Sequence, residues 1–133
     1  MAIKIKTVFS AWFTLLCVNF LEICGGYDKL LKVLIFFIVI DYLTGIAKAI
    51  KGRKLNSYIG FKGIAKKVGI FCVVVMAHQL DVILVAEDPV MRSLAIAFYI
   101  SNEGISIFEN LTELEVPFPE QIKNVLLNFK KEV

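Results

Sequence analysis

Residues that carry chemistry are scarce in this chain. One histidine (His78) and three cysteines are spread through its 133 residues. No CxxC pair and no second histidine at ligand spacing accompanies them, so the sequence offers no metal or redox site and implies no cofactor. Cys17, Cys24 and Cys72 all sit inside apolar runs and read as small reduced hydrophobes. Cys17 and Cys24 share a helix face but lie too far apart along its axis to bridge. A nucleophile–base arrangement and a phosphate-binding glycine loop are both missing, which argues against an enzyme. Charged residues make up only 20% of the chain, and acidic ones are absent from Lys48 to Lys67.

What is abundant is apolar surface. The chain is 58% hydrophobic with a mean hydropathy of +0.74, against the roughly 45–50% apolar content of soluble domains. A soluble domain of this length has too little interior to hide so many apolar side chains. Lipid is the alternative solvent, and the length suits a single domain.

Four apolar segments separate, each near the ~20 residues a helix needs to cross a bilayer. They run over about 7–24, 30–50, 68–86 and 91–111. Gly25-Gly26-Tyr27-Asp28 and Glu87-Asp88-Pro89 mark turns between them. The third segment is rich in Val and Ile, which favour strands in water, but lipid requires internally satisfied backbone and so predicts helix. Beyond Pro117 and Pro119, Ile122, Val125, Leu126 and Phe129 recur at helical spacing. That pattern predicts a short amphipathic tail helix over 119–131, with Lys130 and Lys131 at the end its dipole favours. The fold class expected is therefore all-α: four membrane helices plus the tail helix, in an oligomer.

The first segment follows Lys4 and Lys6 as a signal peptide would, but no small-x-small cleavage site follows it. Ile23 before Cys24 is too bulky for a lipoprotein site, so the segment reads as retained. Asn19 and Glu22 leave open whether it spans the membrane or lies on it.

Orientation follows from cations. Lys48, Lys51, Arg53, Lys54, Lys62, Lys66 and Lys67 form a basic segment, and such segments stay on the cytoplasmic side. Residues 51–67 are thus expected to be a cytoplasmic loop between spans rather than a nucleic-acid site. Four spans then put both termini in the cytoplasm, and the two cation-poor turns outside.

Polar residues inside the spans are costly and mark wet paths, relays or buried pairs. Asp41 lies near the middle of span two, and His78 and Asp81 share a face of span three. These three are expected to be buried polar groups, with Asp41 or Asp81 paired to His78 as one option. In span four, Arg92, Tyr99, Asn102, Glu103, Ser106, Asn110 and Glu113 recur at three- and four-residue steps. Leu94, Ile96, Ala97, Phe98, Ile100, Ile105 and Ile107 fill the opposite face and are expected toward lipid. Tyr99, Asn102, Glu103, Ser106 and Asn110 are expected to line a pore or a subunit contact in a homo-oligomer. The alternative is a stripe packed against Asp41 and Asp81 within one chain. Gly45, Gly52, Gly60 and Gly63 are expected at close helix approaches or sharp turns.

Several of these residues together resemble a known family. Asp41-Tyr42-Leu43-Thr44-Gly45 with Lys48-Ala49-Ile50 is similar to the signature of the phage holins grouped with clostridial toxin-secretion holins. The likeness continues through Arg53-Lys54-Leu55-Asn56-Ser57, Gly60, Gly63-Ile64 and Lys66-Lys67. Further on it includes Tyr99-Ile100-Ser101-Asn102-Glu103, Ser106-Ile107, Glu109-Asn110 and Pro117-Phe118-Pro119. The resemblance implies a small multi-span protein of the bacterial cytoplasmic membrane that oligomerises and permeabilises it, so that an endolysin or a protein toxin can leave. It marks Asp41, Thr44, Gly45, Asn102, Glu103 and Asn110 as family-typical positions. Two other functions fit the size: a small proton-coupled transporter using Asp41 or Glu103, and a structural or assembly subunit.

Overall fold

The computed structural model describes residues 2–53, 56–85 and 87–132, and within them the side chains of all but residues 2–4, 57, 59, 129, 130 and 132. Lys54, together with the side chains of Lys4 and Lys130, therefore lies outside the described residues. Five helices follow one another: α1 Ala2–Ile23, α2 Lys29–Lys51, α3 Ser57–Ile83, α4 Val90–Glu113 and α5 Glu120–Glu132. Among the described residues there is no strand, as the all-α expectation requires.

Local chemistry explains each helix start. Asp28 caps α2 by accepting the Leu31 N–H at 2.9 Å, and Asn56 caps α3 by accepting the Tyr58 N–H at 2.8 Å. The Asn56 cap sets the one large boundary difference from the sequence reading. Residues 57–67, expected in the basic loop, are instead the first turns of α3. Pro89 precedes α4 and offers no side-chain cap. Asp81 of α3 replaces it, its two carboxylate oxygens accepting the N–H groups of Met91 and Arg92 at 2.9 and 2.8 Å. These are donors that a helix start otherwise leaves unmet.

The buried positions follow the helical period. α2 turns Leu31, Leu34, Ile38 and Asp41 inward, and α3 turns Ile70, Val74, Ala77 and Asp81 inward. α4 is the central helix, packed against α2, α3 and α5. Its surroundings correct an expectation. Ile96 and Ile107, assigned to the lipid side, are buried, because a helix with three neighbours has little free circumference. Cys24, Leu31, Leu34, Ile38, Ile70, Val74 and Ile96 make the apolar core.

α1 touches this bundle near its C-terminal end, where Leu21 meets the core and the Phe20 ring stands edge-on to Phe71 at 5.3 Å. Phe9, Trp12, Phe13 and Leu16 of α1 are exposed. Among the described residues, two stretches are long and apolar enough to cross a membrane, Ile5–Ile23 and Lys29–Lys51. α3 and α4 are long enough, at 27 and 24 residues, but are less apolar on average.

The amphipathic tail helix folds back along α4 of its own chain. Gly104 makes room for it. A Cβ there would stand 2.7 Å from Leu126 Cδ2 and 3.1 Å from Phe37, so the bare backbone forms the notch in which Leu126 sits. Phe118 packs edge-on against Phe108 at 5.1 Å, and the Lys123 ammonium stands 4.7 Å from the Phe108 ring centre. Gly104→Val should therefore expel Leu126 and release α5, while the other helices stay membrane-inserted. Limited proteolysis would then cut within residues 114–119 markedly faster than in the parent protein. Equal cleavage of the two would show that the notch does not hold the tail.

Candidate polar site and family

Two polar clusters tie the helices together, one toward each end of the bundle. The first is built on Lys67. Its ammonium pairs with the carboxylates of both Asp41 on α2 and Glu103 on α4. Glu103 is fully buried, and only 12% of the Lys67 side chain is exposed. One cation thus joins three helices. Asn110 extends the cluster, its amide donating to Asp41 Oδ1 at 3.2 Å and to Thr44 Oγ1 at 3.1 Å. Thr44 in turn donates to the Ile40 carbonyl at 2.9 Å. The second carboxylate oxygen of Glu103, Oε1, is buried with no hydrogen-bond partner. Farther along, exposed ion pairs Lys48–Glu113 at 2.7 Å and Lys51–Glu115 at 3.2 Å link the ends of α2 and α4, and such pairs contribute little.

The second cluster centres on Arg92, 1% exposed. Its Nε donates to the Cys24 carbonyl at 2.5 Å, Nη1 to Asp28 at 2.5 Å and Nη2 to the Gly26 carbonyl at 3.0 Å. The planar guanidinium thereby gathers the α1–α2 turn onto the start of α4. That turn needs glycine. Gly25 and Gly26 have φ of +85° and +96°, and a Cβ on Gly25 would stand 2.7 Å from both Arg92 Nε and His78 Nδ1. Burial opposes ionisation of Asp28, but hydrogen bonds from the Arg92 guanidinium and the Leu31 N–H outweigh it and hold the carboxyl below its usual value of 3.8.

The sequence-derived residues distribute over these clusters unevenly. Asp41 and Asp81 are buried, yet neither pairs with His78. Asp81 caps α4, Asp41 meets Lys67, and His78 Nδ1 is buried without a hydrogen-bond partner. Of the α4 stripe, Glu103 and Asn110 are buried, whereas Tyr99, Asn102 and Ser106 are half-buried. For Glu103 and Asn110 the structure shows the alternative, a stripe packed toward Asp41 within one chain. α2 and Lys67 cover them within a single chain. Lys67 is the residue that the sequence reading misplaced, counted among the loop cations with Lys48, Lys51, Arg53, Lys62 and Lys66, which are exposed or half-buried. The signal was available: Lys67 falls three residues before Ile70 and seven before Val74, on the inward stripe of α3.

Removing one partner of a buried ion pair costs about 3–5 kcal/mol, because the other charge is left uncompensated. Lys67→Met should therefore lower the thermal unfolding temperature in detergent by a clear margin. Adding Asp41→Asn and Glu103→Gln to it should restore most of the loss. A triple variant no more stable than Lys67→Met would show that the ion pairs are not what holds α2, α3 and α4 together.

Comparison with known proteins places this geometry. Residues 18–131 match the model of the bacteriophage holin family. An uncharacterized protein of Clostridium perfringens is 46% identical over 114 residues, covering 84% of this chain and 86% of its own. An uncharacterized protein of Listeria monocytogenes is 45% identical over 105 residues, covering 79% and 74%. A protein of Bacillus phage phi105 named as a probable holin is 36% identical over 101 residues, covering 76% and 74%. No solved structure matches the chain. The family match spans both clusters and the tail, and with the apolar helices it makes this chain a membrane protein of the bacteriophage holin family.

Proposed function

We infer that the chain assembles with copies of itself in the bacterial cytoplasmic membrane and opens a pore through which an endolysin or a protein toxin leaves. Family membership and the holin name of the phi105 relative support a holin role. The observation that carries the oligomeric pore is the α4–α5 face. Leu126 holds α5 beside Gly104, at the middle of α4, and there α5 exposes Gln121, Asn124 and Asn128. If α4 spans the bilayer, these amides stand at membrane depth, where lipid cannot hydrogen-bond them. A ring of copies gives them water or one another. Tyr99, Asn102 and Ser106 of α4, half-buried in one chain, are the residues of the stripe that a neighbour or a lumen still has to cover.

In this reading α1 to α4 cross the membrane. The ends of α2 and α4 that carry Lys48, Lys51, Glu113 and Glu115 lie together, and so do the starts that carry Asp28 and Arg92. α2 and α4 are thus parallel with α3 returning between them, as alternating crossings require. The positive-inside bias then puts the α2–α3 turn, the start of α3 and the N-terminus on the cytoplasmic side, from which α5 folds back along α4. Asp41, Lys67 and Glu103 can sit at depth because the Lys67 ammonium meets both carboxylates inside the chain and offsets one of their charges.

Two measurements check this. Impermeant maleimide added to intact cells should label Val85→Cys, in the exposed α3–α4 turn, and leave Arg53→Cys unreacted until the membrane is opened. The reverse pattern would invert the topology, and protection of both would mean that α3 and α4 do not cross. Purified protein in liposomes should release encapsulated solutes, of increasing size as its density rises. Asn102→Cys should become reactive to water-soluble thiol reagents only as release begins, while Leu94→Cys stays slow. Intact vesicles at every density would remove the pore.

A further inference from the structure

Between α2 and α3, toward the ends that carry Ala49 and Asn56, lies a crevice of about 210 Å³. Tyr42, Gly45, Ile46 and Ala49 line one side, Gly60 and Gly63 the other. Asp41, Lys67, Ser106 and Asn110 supply the polar part of its lining. The two glycines of α3 are not explained by helix packing. A Cβ added at Gly60 or Gly63 would meet nothing within 4 Å, and glycine weakens a helix interior relative to alanine. Their expected role at close helix approaches is thus not what the structure shows. They keep the crevice open.

The polar lining decides what the crevice can hold. Two carboxylates, Asp41 and Glu103, share one ammonium, leaving the cluster one negative charge in excess when both are ionised. Glu103 Oε1 is fully buried and unpartnered, and Lys67 joins it to the crevice. Most of the lining is apolar, but the volume has room for several waters, and an acyl chain reaching its inner part would leave Asp41, Lys67, Ser106 and Asn110 facing hydrocarbon, which favours hydration there. Exposed Lys62 and Lys66 on the same stretch of α3 put this end of the crevice at the basic, water-facing end of the helix.

We propose that the crevice is an aqueous vestibule within each single copy, admitting water and small monovalent cations from the cytoplasmic side to the Lys67–Asp41–Glu103 cluster before any pore exists. The inference rests on the reading of α2 and α3 as membrane-spanning and not on pore formation.

The test uses full-length protein at low density in liposomes holding a retained dye, with Cys17→Ser, Cys24→Ala and Cys72→Ser as background. Single cysteines are placed at Ser106 in the crevice and at Val68, which is exposed on α3. The probes are trimethylammonium-ethyl methanethiosulfonate and its anionic sulfonate analogue. With no dye released, Ser106→Cys should react at least about tenfold faster than Val68→Cys, since lipid excludes charged reagents, and faster with the cation than with the anion. Gly60→Leu with Gly63→Leu, which the open space accommodates, should slow the Ser106→Cys reaction while the protein stays folded. Equal rates at Ser106 and Val68 would mean that acyl chains fill the crevice. Reaction that begins only with dye release would mean that access runs through the pore. Protection that grows with protein density would assign the crevice to a second copy. Each of these three overturns the vestibule. Vesicles that never leak while Ser106→Cys still reacts would remove the pore and leave the vestibule standing.

Discussion

The structure depends on one ammonium group. Lys67 is shared by Asp41 and Glu103, and without it two acids on facing helices would repel each other in a setting that solvates neither. With it, α2, α3 and α4 acquire a common register, because each contributes one charged group to a single point. The apolar stripes of the three helices can then interdigitate around Leu34, Val74 and Ile96. An apolar core by itself specifies register weakly in a membrane, where lipid competes on equal terms with neighbouring helices. Ionic groups that have no acceptable alternative in lipid specify it strongly.

Arg92 does comparable work at the opposite end. It satisfies the carbonyls of Cys24 and Gly26 together with Asp28, all on the turn that joins α1 to α2. Asp81 meanwhile satisfies the backbone at the start of α4. The bundle is thus held by polar contacts at two depths, with the apolar core between them. α1 takes part in neither cluster through a side chain. It leaves Phe9, Trp12, Phe13 and Leu16 uncovered by the rest of the chain, which suits a helix whose solvent is lipid.

For a holin-family protein the storage of polarity has a functional consequence. Most of the charges that oppose insertion are paired inside one copy, which suits a chain that resides in a membrane. Half-buried Tyr99, Asn102 and Ser106 on α4 and exposed Gln121, Asn124 and Asn128 on α5 are the groups that the proposed assembly would cover. A buried ionic cluster and a half-buried polar face coexist on one helix, and the side on which each lies separates contacts made within one chain from those of the proposed pore.

Much of this was legible in the residues alone. Helix existence, the positions of both turns, the inward placement of Asp41 and Asp81 and the family likeness all follow from apolar runs, cap residues and motif spacing, which are local. Partners were not legible. Lys67 read as one more loop cation, because a charge map counts cations without knowing that Asn56 starts a helix early enough to turn Lys67 inward. Glu103 read as facing water because no cation neighbours it in sequence; its partner comes from another helix, 36 residues away. Gly60 and Gly63 read as packing glycines, and Gly104, which does receive a neighbour, gave no sign of it. Period, hydropathy and capping are properties of a segment, so the sequence by itself determined the helices and the apolar class. Which charges neutralise one another, and which glycine is filled, depends on distances between segments, and only the tertiary structure decided those.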